Sequence, residues 1–159
     1  MSILETRTQH WPNEAACAAC AAALARRAAL ADAYLELHGP LGAGKTTFAR
    51  HLLHALGVQG RVKSPTYAVM EPYELERDGT PFAIWHFDFY RFNDPQEWED
   101  AGFRDVFASR GLKLAEWPEK AAGLLPEADL RIYIEPLADE RRDVRFTAHT
   151  SVGAELLKS

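Results

Sequence analysis

The sequence predicts an α/β protein built on a mixed β-sheet. Three observations indicate this fold class: an apolar strand leading through a glycine-rich loop into a helix, a hairpin in the middle of the chain, and two more strands near its end. A strand followed by a helix is typical of parallel pairing, whereas hairpin strands pair antiparallel. We therefore expect both kinds of pairing in one sheet.

The first half of the chain is expected to begin with a helix. Asn13 is a suitable N-cap for an alanine-rich helix that continues from Glu14 to Ala31. Residues 34–38, Tyr-Leu-Glu-Leu-His, are predicted to form a strand that runs directly into the glycine-rich loop. Residues 45–56 are predicted to form the following helix, with Gly57 as its C-cap.

The hydrophobic period changes after this helix. Val62 and residues 66–75 are predicted to be extended, and so are residues 82–89. Arg77-Asp78-Gly79-Thr80 between them has the composition of a turn, which indicates a hairpin.

A short helix should follow the hairpin. Asp94 is its expected N-cap, Pro95 occupies the first helical position, and Glu97 would complete a capping box. Four further elements are expected: strands at 112–115, ending in Glu116, at 130–134 and at 144–148, the last two joined by a charged turn, and a closing helix at 156–157.

Length and composition predict one domain covering residues 1–159. The 18 basic and 23 acidic residues give a net charge of -5, which argues against a broad basic surface that binds nucleic acid alone. No apolar run approaches a membrane span, and residues 1–12 lack a signal-peptide core, so we expect a cytoplasmic protein without membrane contact. Cys17 and Cys20 have no matching zinc ligands and are predicted to be small packed side chains.

The glycine-rich loop carries the strongest functional signal. Gly39-Pro40-Leu41-Gly42-Ala43-Gly44-Lys45-Thr46 fulfils the P-loop pattern G-x-x-x-x-G-K-[ST]. Chance would produce its four fixed positions in at most about one chain in a hundred of this length. The glycines free successive N–H groups to point at phosphate, Lys45 would reach the β- and γ-phosphates, and the Thr46 hydroxyl would coordinate Mg²⁺.

A P-loop site also needs a carboxylate near Mg²⁺, commonly at the end of an apolar strand. Glu116 follows Leu-Lys-Leu-Ala, and Asp88 lies in Ile-Trp-His-Phe-Asp. Asp88 could instead pair with Arg91 or cap a turn, and Glu116 could cap the segment that begins at Pro118. The sequence pattern alone does not divide the catalytic and metal-binding roles between the two.

Two further features lie near these motifs. Ser64-Pro65-Thr66 could be a nucleotide-sensing loop whose hydroxyls meet Mg²⁺ or the γ-phosphate, or a plain proline turn. Trp117, directly after Glu116, could wall the nucleotide site or belong to the core. The paired arginines Arg141-Arg142 are expected to be solvated charges.

Together these motifs resemble the TsaE family, also called YjeE, the ATPase of bacterial tRNA threonylcarbamoyladenosine synthesis. The resemblance covers residues 35–136. It rests on the P-loop with Thr47, Val62-Lys63-Ser64-Pro65-Thr66-Tyr67, Glu71-Pro72-Tyr73, His86-Phe87-Asp88-Phe89-Tyr90-Arg91 and Glu116-Trp117-Pro118-Glu119, in that order. Other families share the P-loop, but the combination is specific.

The resemblance implies a P-loop NTPase-like three-layer sandwich with a mixed, largely antiparallel central sheet. It implies that ATP or ADP binds to residues Gly42, Ala43, Gly44, Lys45, Thr46 and Thr47, with Ser64, Thr66 and Trp117 beside the nucleotide. It further implies that Thr46, Glu116 and Asp88 serve the Mg²⁺ ion, and that Asp88, with Lys45, acts in catalysis beside the γ-phosphate. Near Ala15 and Ala16 the family often has a threonine that helps to hold the adenine, and this sequence has none there.

The family also implies partners. Its ATP hydrolysis is weak in the isolated protein and becomes meaningful with the TsaB–TsaD pair, which modifies tRNA, so contact with tRNA is expected only through that complex. Two alternatives remain: a binding module in which nucleotide occupancy rather than hydrolysis matters, and a small-molecule P-loop kinase.

Overall fold

The computed structural model describes residues 2–65 and 68–158. Its strands are β1 (Glu5–Trp11), β2 (Tyr34–His38), β3 (Met70–Arg77), β4 (Thr80–Asp88), β5 (Leu112–Glu116), β6 (Leu130–Pro136) and β7 (Arg142–Ala148). The α-helices are α1 (Glu14–Ala25), α2 (Lys45–Ala55), α3 (Pro95–Ala101), α4 (Phe103–Ala108) and α5 (Ser151–Leu156), and short 3₁₀ helices occupy Ala28–Asp32 and Pro118–Ala121.

The strands form one sheet in the order β1-β7-β6-β2-β5-β4-β3. Strand β2 pairs parallel with β5 and β6, and β4 pairs parallel with β5. The pairs β1–β7, β6–β7 and β3–β4 are antiparallel and have the longer registers. The predicted mixed, largely antiparallel sheet is therefore confirmed.

Helices cover both faces of the sheet, which makes three layers. On one face, α1, α2 and α5 pack on apolar strand residues such as Leu35 and Leu37. On the other face, α3, α4 and the second 3₁₀ helix enclose an aromatic cluster that includes Phe87, Trp98 and Phe103. Within the described residues, no helix is long and apolar enough to cross a bilayer.

The structure differs from the sequence prediction at several elements. The alanine-rich helix, capped as expected by Asn13, ends at Ala25 rather than Ala31, because the Arg77 guanidinium binds the carbonyl oxygens of Ala25 and Arg27. Strand β3 begins only at Met70, since the preceding residue has a left-handed backbone. The closing helix, expected at residues 156–157, is α5 and begins earlier, at Ser151, where the Thr150 side chain caps it. Strand β1 and helix α4 were not predicted at all.

A buried polar cluster lies on β2, on the sheet face that carries the aromatic residues. Glu36 accepts hydrogen bonds from the Tyr34 hydroxyl at 2.8 Å and from His38 Nε2 at 3.0 Å. Arg131 Nε lies 3.1 Å from the same carboxylate as an ion pair, although it lacks the alignment of a hydrogen bond. Burial alone would raise the pKa of Glu36, but these neighbours outweigh it and hold the pKa below its usual value.

Candidate functional site

The glycine-rich loop connects β2 to α2 and has the backbone shape of an anion cradle. Gly39, Gly42 and Gly44 have φ values of 151°, 80° and 107°, which side-chain-bearing residues rarely adopt. Gly39 also lies so close to β6 that an added Cβ would stand 2.5 Å from the carbonyl oxygen of Ile134. The loop therefore turns tightly over the sheet and leads into the N-terminus of α2, an eleven-residue helix.

Lys45 is the first residue of α2 and its side chain folds back over the loop. Its ammonium donates to the carbonyl oxygen of Gly39 at 2.6 Å and lies 3.3 Å from the ring centroid of Trp117. Burial lowers the pKa of Lys45, an effect that the carboxylates of Glu119, Glu116 and Asp88 oppose. The cation is therefore desolvated and held inside the site, where an anionic ligand would be attracted strongly.

The register between β4 and β5 brings the two predicted carboxylates together. Asp88 and Glu116 are paired residues at the carboxyl ends of these parallel strands, and they are 3% and 2% exposed. Glu116 Oε1 accepts from the Thr46 hydroxyl at 2.7 Å, and its Oε2 lies 2.7 Å from Nε2 of His86. Thr46 and Glu116 thus lie side by side, as the predicted metal site requires.

Asp88 is held by two loops. Its Oδ2 accepts a hydrogen bond from the Ser64 hydroxyl, and its Oδ1 accepts from the backbone N–H of Tyr90 at 2.9 Å. The Tyr90 ring in turn lies 5.0 Å from that of Trp117. The predicted loop Ser64-Pro65-Thr66 therefore reaches Asp88 through Ser64, whereas Thr66 lies outside the described residues.

A cavity of about 450 Å³ gathers these side chains at the mouth of the loop. It is lined by every predicted site residue within the described part of the chain: Gly42, Ala43, Gly44, Lys45, Thr46, Thr47, Ser64, Asp88, Glu116 and Trp117. No group of three or more histidine, cysteine or carboxylate side chains among the described residues could alone hold a metal ion. One or two carboxylates and a hydroxyl suit Mg²⁺, which usually takes its remaining ligands from water and substrate phosphates.

A smaller cavity of about 110 Å³ continues from this site and was missed by the sequence prediction. It is bounded by the β1–α1 junction at Trp11, Asn13, Glu14 and Cys17, and by Arg142. Ala43, Gly44 and Thr47 line both cavities, so the smaller one begins where the phosphate cradle ends.

Arg142 corrects the expectation of a solvated charge. Its Nε donates to the carbonyl oxygen of Ala43 at 2.7 Å, and the side chain lines both cavities. The neighbouring Arg141 remains exposed. The charged turn gave no signal that would distinguish the two arginines.

Cys17 and Cys20 are both free thiols, and Cys17 is buried. Burial raises the pKa of Cys17 to about 12 and that of Cys20 to about 11. Both therefore stay protonated near neutral pH, in agreement with the predicted packing role.

Comparison with known proteins identifies the family. The family model described as Threonylcarbamoyl adenosine biosynthesis protein TsaE matches residues 11–144. The tRNA threonylcarbamoyladenosine biosynthesis protein TsaE of Haemophilus influenzae is 43% identical over 123 residues, which cover 77% of this chain and 75% of that protein. The protein of the same name from Bacillus subtilis is 39% identical over 114 residues, covering 72% and 68%.

A solved structure agrees with this result. The crystal structure of Bacillus subtilis YdiB is similar with a TM-score of 0.76 and 28% identity, covering 98% of this chain and 94% of that one. The strand order, the P-loop and the sequence matches all lead to one assignment. The chain belongs to the TsaE family.

Proposed function

We propose that this protein binds ATP and ADP with Mg²⁺ and hydrolyses ATP as a component of tRNA threonylcarbamoyladenosine synthesis. The observation that carries the proposal is the convergence of Lys45, Thr46, Asp88 and Glu116 on one cavity at the P-loop. Family membership supports the role in tRNA modification.

Each of these residues has a defined task in the proposed reaction. The backbone N–H groups from Gly42 to Thr47 and the ammonium of Lys45 bind the phosphate oxygens. The Thr46 hydroxyl and the Glu116 carboxylate would hold a Mg²⁺ ion, which would neutralise charge that develops on the phosphates. Asp88 would orient the attacking water.

Lys45 must move for this to happen. Its ammonium now contacts the Gly39 carbonyl oxygen and the Trp117 ring, and phosphate oxygens would replace the first contact. Trp117 would remain beside the site, because its ring packs against Tyr90 as well.

The contacts of Asp88 connect the proposed γ-phosphate site to two loops. Ser64 and Tyr90 belong to different loops, and both are hydrogen-bonded to this one carboxylate. A change at Asp88 during hydrolysis would therefore alter both loops, which a partner protein can sense.

The proposed partners are the TsaB–TsaD pair, and the proposed location is the cytoplasm. A role in tRNA modification supports both. The net charge of -5 supports tRNA contact through the complex rather than by this protein alone.

Measuring ATP turnover with and without the TsaB–TsaD pair tests the proposal. We expect little turnover alone, stimulation by the partners, and loss of turnover in Lys45→Ala. Lys113→Ala is the matched control, because Lys113 is a second buried lysine (3% exposed) outside the cavity. Equal turnover by Lys45→Ala and wild type would contradict the site assignment.

A second candidate function is that of a binding module whose partner affinity depends on whether nucleotide is bound. The hydrogen bond between Ser64 and Asp88 supports this candidate. That contact couples the loop to the cavity whether or not hydrolysis takes place. Asp88→Asn and Asp88→Ala separate the two functions. If turnover disappears while tRNA modification persists, the module is the correct description.

A further inference from the structure

His86 is a fully buried residue next to the proposed metal site. It lies on β4, two residues before Asp88 and on the same face of the sheet, and it is 0% exposed. Its Nε2 is 2.7 Å from Oε2 of Glu116, itself 2% exposed. The contact joins neighbouring parallel strands, since His86 pairs in register with Leu114, two residues before Glu116.

The hydrogen bond has only one possible direction once Glu116 is ionised, as a metal ligand must be. A carboxylate only accepts, so Nε2 of His86 carries the hydrogen whether the ring is neutral or charged. The other ring nitrogen, Nδ1, is buried and has no hydrogen-bond partner within residues 2–65 and 68–158. Among those residues, the only side-chain hydrogen bond of His86 is therefore the one to Glu116.

A histidine at this position has an energetic cost that an apolar residue would avoid. Leaving a buried polar atom without a partner is unfavourable, and this cost is not offset by a second hydrogen bond of the ring. The interaction that can offset this cost is the hydrogen bond from Nε2 to Glu116.

Glu116 is gripped by different donors at its two oxygens. Oε1 faces the P-loop and accepts from the Thr46 hydroxyl at 2.7 Å, while Oε2 is bound from behind by His86. A hydroxyl that coordinates a metal through its oxygen can still donate its hydrogen to Oε1. The two contacts therefore fix the carboxylate plane, and each uses only one acceptor site of one oxygen, so both oxygens keep a lone pair that a cation could use.

We propose that His86 is a positioning residue that orients Glu116 for the Mg²⁺–nucleotide complex. Partners that orient a metal ligand in this way typically affect metal affinity about 10–100-fold. The proposal rests on the proposed function, because it presupposes that Glu116 serves a metal ion.

The test compares ADP affinity with Mg²⁺ and with EDTA, by calorimetry, for wild type and three variants. His86→Leu removes the donor and should fold well, since it also removes the unpartnered Nδ1. His86→Gln places an amide N–H where Nε2 stands, whereas His86→Asn places it near Nδ1. We expect Leu and Asn to reduce the magnesium-dependent gain in affinity about 10–100-fold, and Gln to retain most of it.

A direct metal readout complements the affinities. Mn²⁺ binding in the presence of ADP, followed by electron paramagnetic resonance, should weaken in His86→Leu and recover in His86→Gln. Affinities measured in EDTA should stay close to wild type in all folded variants, because the phosphate cradle does not contact His86.

Two outcomes would overturn the proposal. One is a magnesium-dependent gain in His86→Leu equal to that of wild type. The other is an equal loss of affinity in EDTA and in Mg²⁺ for Leu and Gln alike, which would show a purely structural role. Wild-type protein that binds ADP with no magnesium dependence would instead contradict the proposed metal site itself, and so is a distinguishable result.

Discussion

Alanine at Gly39 should destabilise the nucleotide-free protein more than alanine at Gly42, although both are loop glycines with positive φ. A Cβ at Gly39 would lie 2.5 Å from the carbonyl oxygen of Ile134 and 3.0 Å from the Cβ of Ala43. At Gly42 no atom would lie within 4 Å of the added carbon. The two substitutions thus separate backbone strain from steric overlap.

The magnitudes follow from these distances. A left-handed backbone costs an alanine roughly 1–2 kcal/mol, and at Gly42 this is the whole expected effect. At Gly39 the overlap involves the backbone of β6, which is held in register with β2, so side-chain rotation cannot relieve it. Overpacking of this kind adds about 1–3 kcal/mol, for an expected loss of about 2–5 kcal/mol.

Urea unfolding followed by circular dichroism, without nucleotide, gives both free energies of unfolding. Nucleotide is left out so that any change in binding does not enter the measurement. Equal losses for the two variants, or a larger loss for Gly42→Ala, would mean that the loop does not pack against β6 as described.

Three further predictions concern other parts of the molecule. The native pKa of Glu36 lies below its unfolded value of about 4.5, so the ionised carboxylate stabilises the fold above that pH and this stabilisation is lost as pH falls through the native pKa. In urea unfolding at a series of acidic pH values, Glu36→Gln should therefore lose less free energy of unfolding below pH 4.5 than wild type does. Cys17, which is buried and has a pKa raised to about 12, should react with iodoacetamide at pH 8 only after unfolding, as mass spectrometry would show. Cys20, which is half-buried with a pKa raised to about 11, should react slowly in the native protein. Rapid modification of Cys17 in the native protein would contradict its burial. Arg142→Ala should weaken the binding of ADP and of ATP by about tenfold in calorimetric titrations, because a charge-assisted hydrogen bond to the loop is lost. Arg141→Ala is the control and should bind both nucleotides as wild type does.

The parts of the site that the sequence predicted are those encoded locally. The strand β2, the P-loop and α2 follow one another directly, and the pattern of glycines with Lys45 and Thr46 specifies their arrangement. Strand β5 was recognisable because an apolar run ends in a carboxylate, Glu116. The geometry of such motifs is set by consecutive residues, so it can be predicted without knowledge of the rest of the fold.

What the sequence could not predict depends on contacts between distant segments. The parallel register of β4 with β5, which places Asp88 beside Glu116, is a property of the assembled sheet. Arg142 reaches a loop carbonyl 99 residues away, and nothing in its charged turn indicates this. The end of α1 is likewise set by Arg77 at the far end of β3, against the strong helix propensity of alanine.

The edge strand β1 was missed for a different reason. Its residues, Glu5 to Trp11, are mostly polar and exposed, so the strand lacks the alternation of apolar side chains that marks a half-buried strand. Pairing with β7 alone makes it a strand. For the same reason, the β1–α1 junction and the smaller cavity beside it could not be predicted from the sequence.

The ability of the P-loop to hold a magnesium nucleotide is tested most directly by isothermal titration calorimetry of the purified chain with ADP and ATP. We expect saturable heat from both nucleotides in magnesium buffer, and its loss in Lys45→Ala but not in Lys113→Ala. An absence of heat from both nucleotides with the folded wild-type protein would contradict the nucleotide site on which the proposed function rests.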